Sequence, residues 1–341
     1  MIVSAFTSRI LVPLVYYPFY FLLVFGLVTK NVTKLHRNHA LILLTIFLIY
    51  IIHLPNVKDL SSNFIYTCLW VINIFISVFI FNLKNTEVIE KSLACFGIIL
   101  IASFIPLNFL GIHPVNYYGS IGFNINLVVF FVTFSIFYFF KISKSYGVSK
   151  YFLASLSLLT GSRMHILMYL AYIGMRYRFI LYLSLLFFVI AVIYLLPGIS
   201  VYSDVANYFL TGQFSFTEKF DDTRRIYLAI AAIESLKNTF PLGSGFGLEN
   251  YVQFAGIGIG DVYSGEVRLS MSHNFYLSYL AISGVFFIPL FLSIIMPVFR
   301  SNSDYKYLYI MFLIGIAFNE YITSPIFWVV HGLMLRNDKI G

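Results

Sequence analysis

Charge is what this sequence has least of. Of its 341 residues only 11% are Asp, Glu, Lys or Arg, where soluble domains carry about 25%. With 60% hydrophobic residues and a mean hydropathy of +0.88, the chain cannot cover its surface with polar groups. That excludes an ordinary soluble enzyme and a disordered chain. Two cysteines exclude a disulfide scaffold. Cys68 and Cys95 each lie inside an apolar run, near opposite membrane faces, and read as small core residues rather than a pair. There is no CxxC and no HExxH, and the histidines are scattered, so neither a metal nor a cofactor is expected. Gly243-Ser244-Gly245-Phe246-Gly247 lacks the Lys-Ser/Thr ending of a phosphate loop and reads as helix-capping and turn glycines. No serine sits on a strand-to-helix elbow. The net charge of +8 marks cytoplasmic loops rather than nucleic-acid binding.

What is present is a succession of apolar runs. Segments 10–28, 39–54, 64–83, 92–110, 123–140, 179–196 and 274–299 contain no Asp, Glu, Lys or Arg. Most are long enough to cross ~30 Å of hydrocarbon at 1.5 Å per residue. The expected fold is all-α, a polytopic membrane protein. The run at 10–28 lacks a small-residue cleavage site and reads as a retained helix. Segment 151–175 is either one helix with Arg163 buried or a hairpin broken at Thr160-Gly161-Ser162-Arg163. The broken hairpin puts Lys141, Lys144, Lys150, Arg176 and Arg178 on the cytoplasmic side with Lys30, Lys34, Arg37, Arg300 and Arg336, which the positive-inside rule favours. Asn319-Glu320-Tyr321 and Ser324-Pro325 interrupt 307–335, which is read as two segments, 307–319 and 326–335. The sum is about 11 membrane segments, two of them short or re-entrant, with the N-terminus outside and the C-terminus inside.

Residues 197–272 form the one large loop, expected on the periplasmic side, between an N-terminal helical part (1–196) and a C-terminal one (273–341). It carries more acid than base. Asp222 or Thr223 can cap a helix in which Ile226, Ala229, Ile230, Ile233 and Leu236 recur at helical spacing, with Pro241 as its stop. This is an amphipathic helix of about four turns, suited to a membrane surface. Near it stand Arg163, Arg224, Arg225, Arg268 and His273-Asn274. Several arginines beside a membrane mouth suit an anionic ligand, because guanidinium forks bind phosphate oxygens bidentately and keep their charge. Each also has a plainer reading. Arg224 and Arg225 follow Asp221-Asp222 and can pair locally. Arg163 can anchor at an interface, Arg268 can be solvated, His273 can be a hydrogen-bonding group at a helix start, and Asn274 can be an N-cap. His165 and Glu320 default to helix packing.

Three of these pieces carry a resemblance. Thr160-Gly161-Ser162-Arg163 resembles the Ser-Arg break of the O-antigen polymerase and O-antigen ligase superfamily (Wzy and WaaL types). Arg224-Arg225-Ile226-Tyr227-Leu228, followed by Pro241-Leu242-Gly243-Ser244-Gly245-Phe246-Gly247, is similar to that family's loop arginine, amphipathic helix and Pro-x-Gly-x-Gly turn. Arg224 fits the spacing to Leu228, Arg225 the distance to the turn. His273-Asn274, nine residues, then Gly284 resembles the family's His signature, which Phe287 breaks at its last place. The resemblance implies a metal-independent glycosyltransferase of the bacterial inner membrane, working at the periplasmic face in lipopolysaccharide or other polysaccharide biosynthesis. Its substrates are undecaprenyl-diphosphate-linked oligosaccharides, as donor and as acceptor. A chain-length regulator is a further partner of the family. In that reading Arg163 and Arg224/Arg225 hold the pyrophosphate, His273 is the base, and Arg268 and Asn274 contribute to binding. The departure at Phe287 and the non-basic loop tilt the expectation toward a polymerase over a ligase acting on lipid A–core. A lipid-linked sugar transporter is the alternative of another class. It calls for ionisable residues through the membrane interior, and the apolar runs contain no Asp, Glu, Lys or Arg.

Overall fold

The computed structural model describes residues 34–112, 125–142, 164–169, 221–247, 250–251, 253–254, 274–317 and 321–337. Among them every regular element is helical. Helix α1 (Arg37–His53) starts where the His36 side chain accepts from Asn38 N at 3.2 Å. Helix α2 (Leu60–Asn82) starts at Asp59, whose carboxylate accepts from Ser62 N at 3.0 Å. Helix α3 (Glu87–Phe109) opens on two acids, Glu87 and Glu90, favourable at the positive end of its dipole. Helix α4 (Ile125–Phe137) runs into a π-turn at Tyr138–Ile142. Residues 164–169 are helical. Then come α5 (Asp221–Thr239), α6 (Phe275–Ser283), α7 (Phe287–Arg300), α8 (Tyr305–Ile316) and α9 (Pro325–Asn337). The expected runs at 10–28 and 179–196, the break at 160–163, and Arg163, Arg268, His273 and Glu320 lie outside the described residues.

Three stretches are long and apolar enough to cross a membrane: Leu60–Asn82, Glu87–Phe109 and Phe275–Arg300. The third is not one rod, contrary to the single span expected from 274–299. Phe275 and Phe287 have ring centroids 6.1 Å apart, and Tyr276 and Phe291 5.7 Å. In a straight helix the latter two would stand about 22 Å apart along the axis. The chain reverses at Gly284, at φ 53° and ψ −129°, a conformation only glycine adopts readily. A Cβ there would meet the Pro241 carbonyl oxygen and lie 2.6 Å from Leu242 C. Helices α6 and α7 are therefore two arms of a hairpin.

Helices α8 and α9 form a second hairpin, matching the split expected around Asn319–Pro325. Tyr309 packs on His331 and Phe327, with ring centroids 5.5 and 5.2 Å away, and a 3-10 turn at Tyr321–Thr323 leads into α9. Helix α9 lies along α2, where the Trp70 and Trp328 rings meet at 5.6 Å. Gly332 lets the backbones close in, since a Cβ there would stand 2.6 Å from Ser77 O. Helices α3 and α4 close the same way at Gly97, where a Cβ would lie 2.5 Å from Phe131 O. Cys95 on α3 is exposed and Cys68 on α2 half-buried, so Cys95 is not the core residue expected.

The two ends of the bundle differ in charge. At one end lie the α1–α2 connection, with Lys58, the last turn of α5, where Lys237 pairs with Glu234 at 2.9 Å, and the turn at Gly284. At the other the ends of α1, α2, α3, α7, α8 and α9 bring Arg37, Lys84, Lys91, Arg300, Lys306 and Arg336. Arg336 ties that end together, donating to Thr86 Oγ1 at 2.7 Å and to Lys84 O at 2.6 Å.

Candidate active site

The glycine turn after α5 is a junction. Gly243, Gly245 and Gly247 have φ of 92°, 84° and 110°. Ser244 N and Gly245 N donate to Ala281 O and Ile282 O at 3.0 and 2.9 Å, and Val285 N donates to Pro241 O at 2.9 Å. On its other side the turn meets the α1–α2 connection. Asn63 Oδ1 accepts from Phe246 N at 3.2 Å, and Asn250 donates to Asp59 O at 3.0 Å while accepting from Asp59 N at 2.9 Å. Buried His53 has its two ring nitrogens 2.6 Å from Ile49 O and 3.0 Å from Gly243 O. The Ser61 hydroxyl and the Ser62 amide beside Asp59 hold its carboxyl down to about 2.

Helix α5 packs against α6. Because the turn pins their C-terminal ends together, the two helices run in the same sense. On α5 Ala231, Ala232 and Ser235 are buried, while Ile233 and Leu236 of the expected apolar stripe are only half-buried. Ser235 Oγ donates to Tyr251 O at 3.3 Å. The helix begins at Asp221, slightly before the expected cap, and ends two residues before Pro241, as expected.

The opposite ends of these helices carry the candidate residues. Asn274 caps α6, its side chain accepting from Leu277 N at 3.1 Å. His273 immediately precedes that cap. By helix rise Asn274 lies about 15 Å from the turn, and Arg224 and Arg225 about 22 Å, in the same direction. Asn274 is thus not at an outer mouth, as expected from a single 274–299 span, but within the bundle. In the first turn of α6, Tyr276 donates from its hydroxyl to Leu313 O at 2.7 Å, on the last turn of α8. The segment that follows Arg163 reaches that same turn: a Cβ on Gly315 would lie 3.1 Å from Met168 Sδ. Its His165 is fully buried, 3.2 Å from Thr133 Oγ1 and edge-on to Tyr169, which is helix packing as expected. Asn73 of α2 approaches from the other side, donating to Thr323 O at 2.7 Å. Residues 164–169 and the first turn of α6 therefore meet at the end of α8; in the sequence Arg163 immediately precedes the first of these and His273 the Asn274 cap of the second. For Arg224 and Arg225 the placement is of the helical backbone.

Sequence reasoning passed over several buried polar groups here. Trp70 Nε1 donates to Tyr279 OH at 3.0 Å, and His39, Ser77 and His331 form a buried network. A count of Asp, Glu, Lys and Arg misses these histidines and amides. The spacing Asn63, Thr67, Trp70, Asn73, Ser77 inside the uncharged stretch 60–83 was the available signal. No His, Cys, Asp or Glu cluster able to hold a metal occurs among the described residues. No known protein family, curated protein or solved structure matches the chain.

Proposed function

We propose that the protein is an integral membrane glycosyltransferase, a polysaccharide polymerase. It would transfer a glycan from undecaprenyl diphosphate to a sugar hydroxyl of the next lipid-linked repeat unit. The observation that carries this reading is the meeting of residues 164–169 and the first turn of α6 at the end of α8, since Arg163 and His273 adjoin these two segments in the sequence and α5, which bears Arg224 and Arg225, packs along α6. The arginines hold the diphosphate and neutralise it as the anomeric C–O bond breaks; His273 accepts the proton of the attacking hydroxyl, a role worth ~10²–10⁴ in rate. Diphosphate is a good leaving group, so the chemistry needs neither nucleotide nor further activation. Arg268 and Asn274 flank the same place in sequence. The basic end of the bundle faces the cytoplasm by the positive-inside rule, which leaves the glycine-turn end outward, the periplasmic side of a bacterial inner membrane. Because Asn274, at the start of α6, lies about 15 Å from that end by helix rise, the donor's diphosphate must enter the bundle.

The test is purified protein with undecaprenyl-diphosphate-linked repeat unit and no lipid A, resolved on a gel. A ladder that His273→Ala and Arg163→Ala abolish is the expected result. A ladder undiminished in both folded variants refutes the assignment. Product that forms only after lipid A–core is added identifies a ligase instead. A second reading, lipid-linked sugar transport, is favoured by one observation: the helix interiors hold His39, His331 and buried amides that a transport path uses.

A further inference from the structure

Helix α2 turns a polar residue inward at almost every turn. Asn63, Asn73 and Ser77 are fully buried and Thr67 is 5% exposed. Fully buried His39 of α1 and His331 of α9 face Ser77, and Ser324, 1% exposed, follows Thr323, whose carbonyl accepts from Asn73. Along this seam five polar atoms have no hydrogen-bond partner in the protein: Asn63 Nδ2, Asn73 Oδ1, Ser324 Oγ, His39 Nδ1 and His331 Nε2. Buried polar atoms are nearly always satisfied, and leaving one unsatisfied costs its full desolvation. Several lie along one line, by helix rise about 21 Å from Asn63 to Ser77. Bound water, which takes two to four polar partners per molecule, is the occupant that such a line fits.

At the end of the seam the groups are suited to more than holding water. Ser77 Oγ lies 2.9 Å from His39 Nε2 and 2.8 Å from His331 Nδ1. One hydroxyl between two neutral imidazoles donates to one and accepts from the other. One outer ring nitrogen is then bare and the other carries hydrogen. The groups packed around the pair are His36 (ring centroid 6.1 Å from His39), Phe81, Tyr309 and Trp328.

We propose that the inward face of α2 is a proton path, in which a file of bound water runs from Asn63 past Asn73 and Ser324 to a relay made of His39, Ser77 and His331. The step balances. A proton carried by the water file as hydronium passes to His39 Nδ1, leaving neutral water. His39 Nε2 releases its hydrogen to Ser77 Oγ, and the Ser77 hydroxyl passes its own to His331 Nδ1. His331 Nε2 gives its hydrogen to water. Each group ends neutral, one proton has moved, and the relay stands in the mirror tautomer; exchange with bound water and rotation of the hydroxyl restore the first. Neither redox chemistry nor a further reactant enters.

The inference uses the membrane placement proposed above but not the glycosyl-transfer reading, and one preparation separates them. The protein is reconstituted into phosphatidylcholine–phosphatidylglycerol vesicles loaded with potassium and a pH-sensitive dye. Flotation establishes insertion. Valinomycin then sets a potential, and proton entry is followed against protein-free vesicles. Wild-type vesicles are expected to acidify faster than protein-free ones. Ser77→Ala, which removes only the bridging oxygen, should return the rate to that of protein-free vesicles, while Ser77→Thr, which keeps a hydroxyl, should not. Wild-type vesicles no faster than protein-free ones overturn the path without reference to any variant. A folded Ser77→Ala protein that conducts like wild type overturns the relay. Ladder formation by the same preparation reports separately on glycosyl transfer.

Discussion

The hairpin at Gly284 has a consequence that can be measured against an internal control. Gly284 and Gly111 both have positive φ, 53° and 66°. A Cβ on Gly111 would meet nothing within 4 Å, whereas one on Gly284 would press into Pro241 O and lie 2.6 Å from Leu242 C and 2.8 Å from Gly243 N. All three neighbours are backbone, held by the Val285 N to Pro241 O bond and by the pairing of the turn with Ala281 and Ile282. Gly111→Ala should therefore lose only the conformational penalty of a left-handed alanine, about 1 kcal/mol. Gly284→Ala adds to such a penalty a forced displacement of packed backbone, for a total of about 3 kcal/mol or more. The difference of about 2 kcal/mol is roughly a thirtyfold change in the ratio of folded to unfolded protein. The assay is denaturant unfolding in detergent followed by tryptophan fluorescence. Both tryptophans, Trp70 and Trp328, are fully buried against each other and distant in sequence from either glycine. Equal losses in the two variants would refute the chain reversal and restore a single span through 274–299.

Gly97→Ala should cost about 1–3 kcal/mol in the same assay, because its methyl would meet Phe131 O as well as Ser135; adding Ser135→Ala should not restore stability. Trp70→Phe and Tyr279→Phe should each cost about 1 kcal/mol by breaking the 3.0 Å bond between them, and the double variant should cost less than their sum. The Asp59 carboxyl is held at about 2 in the folded protein, below its unfolded value. Its contribution is therefore fully present above about pH 4 and is lost as pH falls toward 2. Asp59→Asn should remove that part of the pH dependence, and Asp59→Ala should cost about 1 kcal/mol at neutral pH by loss of the cap; an unchanged acid limb in Asp59→Asn would contradict the capping geometry.

The sequence by itself determined that the chain is helical and apolar, and where most helices lie. Absence of charge over 39–54, 64–83 and 92–110 leaves a helix as the only way to satisfy the backbone, and α1, α2 and α3 appear there within a few residues. The stop at Pro241, the Asn274 cap and the break before Pro325 are local effects of one or two side chains, so they too could be read directly. Direction could not. Whether 274–299 continues or folds back depends on Gly284 meeting Pro241, a contact across more than forty residues of chain. The buried face of α5 divides the same way: hydrophobic periodicity favours the isoleucines, but the structure buries Ala231, Ala232 and Ser235, the last bonded to Tyr251 O. The polar seam of α2 shows the same division. Its spacing is visible in the sequence, yet only packing brings His39 and His331 to either side of Ser77, because the three come from three helices and His331 lies 254 residues from Ser77.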